Sequence, residues 1–317
     1  MELPDFLVIG VPKAATTALH AALARHPALY MSAVKEPKFF LTDGPPPTRG
    51  GPGDARTYRE HIWRPEDYSA LFAAAPEGAL RGESTPFYLY SRDAQRRIRR
   101  AIPAARLIVV LRDPVERAHS NWTHLWSAGL EPVGDVVSAC AEEARRIAAG
   151  WAPFWHYLSL GRYGEQLAHL FTLFPREQVL VFRYRDLVDR QADTLDRICR
   201  FLGVPAGGIA GVPRENVTAQ PAPGARHRLL SRAVRALPPL AVPLEGLLQR
   251  SGRARRALTW DERSRLIGHF TEDIDLLQRV TGEDFGDWLR PRERSGGLVG
   301  DRPAGQRQAR NGRRSGA

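Results

Sequence analysis

The strongest constraint on the fold is a set of three short apolar runs rich in β-branched residues, each followed by a helical pattern. They are Phe6–Gly10 (FLVIG), Leu107–Leu111 (LIVVL) and Val179–Arg183 (VLVFR). None alternates polar with apolar, so each reads as a strand buried on both faces of a helix-covered sheet. After the first, Thr17–His26 has helical spacing and is closed by Pro27. After the second, a helix is expected from about Val115 to Ser127, and after the third a helical stretch runs to Leu202 and ends at Gly203. Strands alternating with helices predict βαβ units and an α/β fold around a mainly parallel sheet. Farther along, Thr259-Trp-Asp-Glu262 reads as a capping box. It opens a helix with Leu266, Ile267, Phe270, Ile274 and Leu277 on one face and Gly282 as its stop.

Three segments read as irregular. Gly44–Arg56 is a Pro/Gly-rich loop without an apolar anchor, placed to serve as a lid or a surface insertion. Arg214–Gly224 is a second loop, and 292–317 reads as a basic, disordered tail. The expected organisation is therefore one domain over 1–291 followed by that tail. The 317 residues carry 46 Lys plus Arg against 35 Asp plus Glu, a net charge of +11. The excess is concentrated. Residues 226–256 contribute +7 and the tail +5, so the rest is close to neutral. That distribution argues against a nucleic-acid-binding body, and no nucleic-acid partner is expected. The stretch from Arg228 to Leu237 fits an amphipathic helix, which allows peripheral membrane contact. Two Cys, Cys140 and Cys199, form no disulfide framework and read as small hydrophobes on helices. No leader pattern and no 18-residue apolar run is visible, so the expectation is a cytoplasmic protein.

The first strand runs straight into Gly10-Val-Pro-Lys13-Ala-Ala-Thr16-Thr17, where a helix starts. Backbone N–H groups at a helix N-terminus, a Lys and two hydroxyls make an anion site there. The alternative is an ordinary βα turn whose Lys13 and Thr residues are solvated caps. The spacing is not that of a Walker A loop, which requires Gly, four residues, then Gly-Lys-Ser/Thr. A nucleotide-dependent kinase is thereby disfavoured. The second strand ends in Arg112-Asp-Pro, and Ser120 follows eight residues after the Arg. An Arg fork and a hydroxyl suit phosphate oxygens. Lys35-Glu-Pro-Lys-Phe-Phe40 places Glu36 between two of only three Lys in the chain. Without its flanking motifs, Glu36 would read as a surface carboxylate paired with Lys35 or Lys38.

Together these motifs resemble the sulfotransferases that use 3′-phosphoadenosine-5′-phosphosulfate (PAPS), in particular the bacterial and heparan-sulfate-type enzymes. Pro12, Lys13, Thr16 and Thr17 match that family's Pro-Lys-x-Gly-Thr-Thr/Ser loop, and Ala15 stands where the family usually has Gly. Gly82-Glu-Ser-Thr-Pro-Phe-Tyr88 resembles a further family segment, with Ser84 where some glycan-modifying members have Lys. Arg183-Tyr-Arg-Asp-Leu187 and Phe201-Leu-Gly203 resemble its scaffold. The resemblance implies a three-layer α/β fold of the P-loop-NTPase-like type. It implies that Lys13, Ala14, Ala15, Thr16 and Thr17 hold the 5′-phosphate of PAPS, and that Arg112 and Ser120 hold its 3′-phosphate. A late basic loop, here Arg226 and Arg228, is implied to close over the 3′-phosphate. Glu36 is implied to be the general base and Lys13 the group that neutralises the leaving phosphate, with sulfuryl transfer to a hydroxyl or amine of a small molecule, glycan, glycoside, lipid or natural product. No metal is implied. The nine His show no metal-binding spacing, and His119 and His124 read as packing or surface groups. The alternatives carried beside this reading are the kinase and a non-catalytic nucleic-acid binder.

Overall fold

The computed structural model describes residues 2–209, 211 and 256–290. Arg226, Arg228, the expected amphipathic helix, the loop from Arg214 and the basic tail lie outside the described residues. The centre is a sheet of β1 (Phe6–Gly10), β2 (Leu29–Met31), β3 (Leu80–Ser84), β4 (Arg106–Leu111) and β5 (Val179–Arg183). Its spatial order is β2-β3-β1-β4-β5, and every pairing is parallel. All five residues of β1 are buried, as are Leu107–Leu111 of β4. This explains why those runs are continuously apolar rather than alternating. With helices packed around the sheet, the architecture is the expected three-layer α/β fold.

The helices that matter for the site follow the strands: α1 (Thr16–Leu23) after β1, and α2 (Asp54–Arg59), α3 (Pro65–Ala70) and α4 (Arg92–Ala101) in the connections to β3 and β4. Next come α5 (Pro114–Ser127) after β4, α6 (Val136–Ala141), α7 (Glu143–Ala148), α8 (Tyr163–Leu173), and α9 (Tyr184–Asp189) and α10 (Gln191–Leu202) after β5. β2 and β3 were not foreseen. β2 is only three residues long, and β3 reads LRGES, with a glycine and charged residues that hide its strand character. Gly82 is required in β3 because a Cβ there would sit 2.2 Å from the Phe6 ring on the neighbouring strand.

The capping box at Thr259 is present in both directions: Thr259 Oγ1 accepts from the Glu262 amide at 3.2 Å, and Glu262 Oε2 accepts from the Thr259 amide at 2.9 Å. The helix it opens is interrupted, however. Trp260–Ile267 is followed by a tight 3-10 turn at Gly268–Phe270 and a new helix, Thr271–Thr281, which Gly282 ends at φ 76°. This C-terminal part docks onto the body. Asp273 accepts from the Gly164 and Glu165 amides at 2.9 Å each and so caps α8. Arg263 donates to Asp113 at 2.7 Å, which ties the C-terminal helices to the end of β4. Among the described residues no helix is long and apolar enough to cross a membrane.

Candidate active site

The loop after β1 leads directly into α1. Lys13 and Ala15 both have left-handed backbone conformations, with φ of 71° and 61°. They turn the chain sharply enough for α1 to begin at Thr16. Among the described residues no side chain caps this N-terminus, which leaves the first amides of α1 at the positive end of the helix dipole. Ala15 adopts the conformation that glycine supplies without cost, which is the physical content of its departure from the family pattern. Ala14 differs from its neighbours. Its side chain is fully buried, and its amide donates to the Val11 carbonyl at 3.3 Å. Pro12, Lys13, Ala15, Thr16 and Thr17 line the cleft.

The end of β4 meets this loop. Asp113 caps α5 by accepting from the Val115 and Glu116 amides at 3.0 and 3.1 Å, and Pro114 occupies the first helical position. The Arg-Asp-Pro sequence thus ends the strand and starts the helix while leaving Arg112 to point into the cleft. Arg112 Nη1 donates to the Lys13 carbonyl at 2.9 Å, joining two loops 99 residues apart. Its Nε lies 3.5 Å from Glu116, and its guanidinium sits 5.1 Å from the Tyr184 ring centre. The structural pairing with Glu116 is therefore real, and the same side chain still lines the cleft together with Ser120. Among the described residues, Arg112 Nε makes no hydrogen bond beyond its ion-pair contact with Glu116.

The loop after β2 runs along the end of β3 towards β1. Ser32 and Glu36 donate their amides to the Gly82 and Ser84 carbonyls at 2.9 and 3.0 Å. Glu36 and Lys38 are left-handed as well, with φ of 57° and 62°. Glu36 is ion-paired with Lys35 and also lines the cleft. Lys38 is 5% exposed, with its ammonium 3.5 Å from Glu60. Phe39 and Phe40 pack inward rather than walling the cleft: Phe39 stacks on Tyr68 at 4.1 Å, and Phe40 meets Tyr88 edge-on at 5.6 Å. Burial and the nearby Lys35 charge hold His20 down at about 4, and burial and Lys38 do the same to His61. Burial pushes the Glu83 carboxyl up to about 7, with a further contribution from the charge of Glu36.

The three loops open onto one cleft of about 740 Å³ at the C-terminal edge of the sheet. Its other wall was not visible in the sequence. It includes Phe87, which meets Phe154 edge-on at 5.9 Å, and Trp155, whose indole donates to Asp54 at 2.9 Å. Asp54 also accepts from the Gly51 and Ala152 amides at 2.6 and 2.7 Å. The Gly44–Arg56 segment is therefore anchored by a buried carboxylate and leads into α2. Gly51 packs so tightly that a Cβ would lie 2.6 Å from Trp151. His119 and His124 line the cleft beside Ser120 on α5, His119 against the Trp122 ring at 5.7 Å and His124 edge-on to Phe154 at 5.4 Å. Tyr184 and Arg256 line it too. Arg256 is a late arginine on the described side of the basic segment, held 3.0 Å from Glu262. Among the described residues no group of three His, Cys, Asp or Glu is placed to hold a metal ion.

Comparison with known proteins places this architecture. The sulfotransferase family model matches residues 4–207, a span that contains all three loops. The chain is 30% identical over 205 residues to heparan sulfate glucosamine 3-O-sulfotransferase 3B1 of Homo sapiens, covering 64% of this chain and 47% of that protein. It is 28% identical over 220 residues to the bifunctional heparan sulfate N-deacetylase/N-sulfotransferase 3 of Homo sapiens, covering 64% and 22%. The chain thus spans about half the length of the 3-O-sulfotransferases it matches. The crystal structure of a sulfotransferase from Alicyclobacillus acidocaldarius aligns with a TM-score of 0.73 at 26% identity, over 92% of this chain and 100% of that one. The parallel sheet, the loop after β1 and the Arg112 loop lie wholly within the matched span, and the chain belongs to the sulfotransferase family.

Proposed function

We propose that the protein transfers a sulfuryl group from PAPS to a hydroxyl, with Glu36 as general base and 1–291 as the catalytic domain. The observation that carries this reading is the convergence of Lys13, Thr16, Thr17, Glu36, Arg112 and Ser120 on one cleft from three separate loops. The donor set fits a doubly phosphorylated nucleotide. An uncapped helix N-terminus, a Lys and two hydroxyls serve one phosphate, and an Arg fork with a Ser hydroxyl serves the other. When bound, PAPS supplies the sulfuryl group, whose bond to the bridging oxygen breaks as its bond to the acceptor oxygen forms.

The residues divide that work. Glu36 accepts the proton of the acceptor hydroxyl, with the Lys35 ammonium ion-paired beside it. Lys13 places an ammonium where negative charge develops on the leaving phosphate oxygen. The amides of Thr16 and Thr17 and their hydroxyls hold the 5′-phosphate. Arg112, braced on the Lys13 carbonyl, holds the 3′-phosphate with Ser120 and keeps the two phosphate sites in register. The aromatic wall of Phe87, Phe154 and Trp155 receives the body of the acceptor. Glycans, glycosides, lipids and natural-product alcohols are the acceptor classes, glycans being supported by the heparan sulfate enzymes among the relatives.

Two measurements test the reading. Adenosine 3′,5′-bisphosphate should raise the thermal midpoint, whereas Mg-ATP should not. Labelled PAPS, offered with panels of glycans, glycosides, lipids and phenols, should yield a labelled product. Stabilisation by Mg-ATP alone would favour phosphoryl transfer and sink the proposal.

A further inference from the structure

Glu83 stands at the end of β3, wholly buried, and none of the steps above uses it. Its carboxylate collects hydroxyls. Tyr68 donates to Oε1 at 3.2 Å, Thr85 donates to Oε2 at 2.9 Å, and the Tyr88 hydroxyl is hydrogen-bonded to the same group. Two of these hydroxyls also face the loop that carries Glu36. Thr85 Oγ1 accepts from the Lys38 amide at 3.3 Å, and Tyr88 Oη accepts from the Phe40 amide at 3.4 Å.

A hydroxyl has one proton and two lone pairs, so its hydrogen can point only one way. Above about pH 7 the Glu83 carboxyl is ionised, and a carboxylate takes hydrogen bonds and gives none. It therefore turns the Thr85 and Tyr88 protons towards itself and leaves their lone pairs for the two amides. The third amide of the same loop, that of Glu36, is held by the carbonyl of Ser84, the residue next to Glu83. Alternate amides of a strained loop are thus all tied to the segment 83–88. The left-handed conformations of Glu36 and Lys38 carry a cost that the surroundings must offset.

We propose that Glu83 is the positioning residue of the base loop: it orients the Thr85 and Tyr88 hydroxyls so that they grip the Lys38 and Phe40 amides and keep Glu36 aimed into the cleft. The inference rests on the reading of Glu36 as the base. Its structural half, the grip on residues 36–40, can be measured without any acceptor.

The test pairs amide hydrogen exchange on the full chain with steady-state turnover, using whichever acceptor the panel assay yields. Thr85→Val removes the bridging hydroxyl at constant size, and Thr85→Ser puts it back. Protection of the 36–40 segment should fall about tenfold in Glu83→Gln and in Thr85→Val and return in Thr85→Ser, while the β1 amides stay unchanged. In the same variants kcat should fall about 10- to 100-fold with little change in KM for PAPS, since the phosphate loops are untouched. Unchanged protection at 36–40 in Thr85→Val overturns the proposal even where Glu83→Gln does not fold. A loss of kcat without loss of protection overturns it as well. A parent protein that binds no adenosine 3′,5′-bisphosphate and transfers no label defeats the functional reading, and the exchange data then still decide the grip.

Discussion

The loops after β1 and β2 share a backbone device and use it for opposite ends. Among the described residues, four non-glycine residues have positive φ, and they fall as two pairs: Lys13 with Ala15, and Glu36 with Lys38. In the first loop the turn exposes amides. The start of α1 has no side-chain cap, and the brace comes from outside, through Arg112 to the Lys13 carbonyl. In the second loop the turn engages amides. Those of Glu36, Lys38 and Phe40 are each taken by a neighbour from 84–88. A loop that binds an anion with its backbone must keep its donors available. A loop that presents a carboxylate must occupy them, or the carboxylate would fold back onto its own amides.

The largest expected effect tests the second loop. Glu36→Gln should lower turnover by about 10²- to 10⁴-fold while adenosine 3′,5′-bisphosphate affinity stays near that of the parent. Titration calorimetry with the bisphosphate, alongside the transfer assay, reads both quantities; near-parental turnover would remove Glu36 from the chemistry. The matching change in the first loop should behave differently. Lys13→Ala should lower the rate by about 10²-fold and weaken bisphosphate binding too, since one ammonium serves both. If the two variants gave the same pattern, the division of labour between the loops would be wrong.

A third effect is one of pH. His20 and His61 are held at about 4, so between about pH 6.5 and 4 the unfolded chain binds the protons that the folded chain refuses. Their contribution to stability is present at neutral pH and is lost as pH falls through that window. Glu83 works the other way. At about 7 it stays protonated in the folded state where the unfolded chain has already ionised, so its contribution rises as pH falls from about 7 to 4.5. Urea midpoints measured at about pH 7 and about pH 4.5 should therefore fall more steeply in Glu83→Gln than in the parent. A shallower fall would contradict the assignment. The smallest effect concerns Ala15. Ala15→Gly relieves a left-handed alanine but adds unfolded-state entropy, so stability should rise by no more than about 1 kcal/mol. A clear loss on thermal denaturation would mean that the Ala15 methyl is needed where it stands.

The two loops also differ in how openly they could be read beforehand. The first loop was legible as a pattern, because a strand, a Lys, two Thr and a helix start are local features. Even there, Ala14 was grouped with its neighbours, and only the packed backbone shows its amide turned to Val11. For the second loop the base candidate was legible, but its support was not. Glu83 sits in a strand too polar to be recognised, and Thr85 directly follows it. The aromatic wall was invisible because Phe87, Phe154 and Trp155 come from distant segments with no shared spacing.

By itself, then, the sequence determined three of the five parallel strands, the helix that starts after each and the residues that make up the three loops. Hydrophobic runs, caps and turn residues act over a few neighbouring positions, and those effects survive in a bare string. Only the tertiary structure decided that Lys13, Glu36 and Arg112 face one cleft, that Asp54 pins the glycine-rich segment, and that the buried Glu83 carboxyl takes the Thr85 hydroxyl beside the loop of Glu36. Those outcomes depend on the sheet drawing together the ends of strands far apart in the chain. That step is driven by non-directional burial of apolar surface, and it leaves no local mark on the residues it brings into contact.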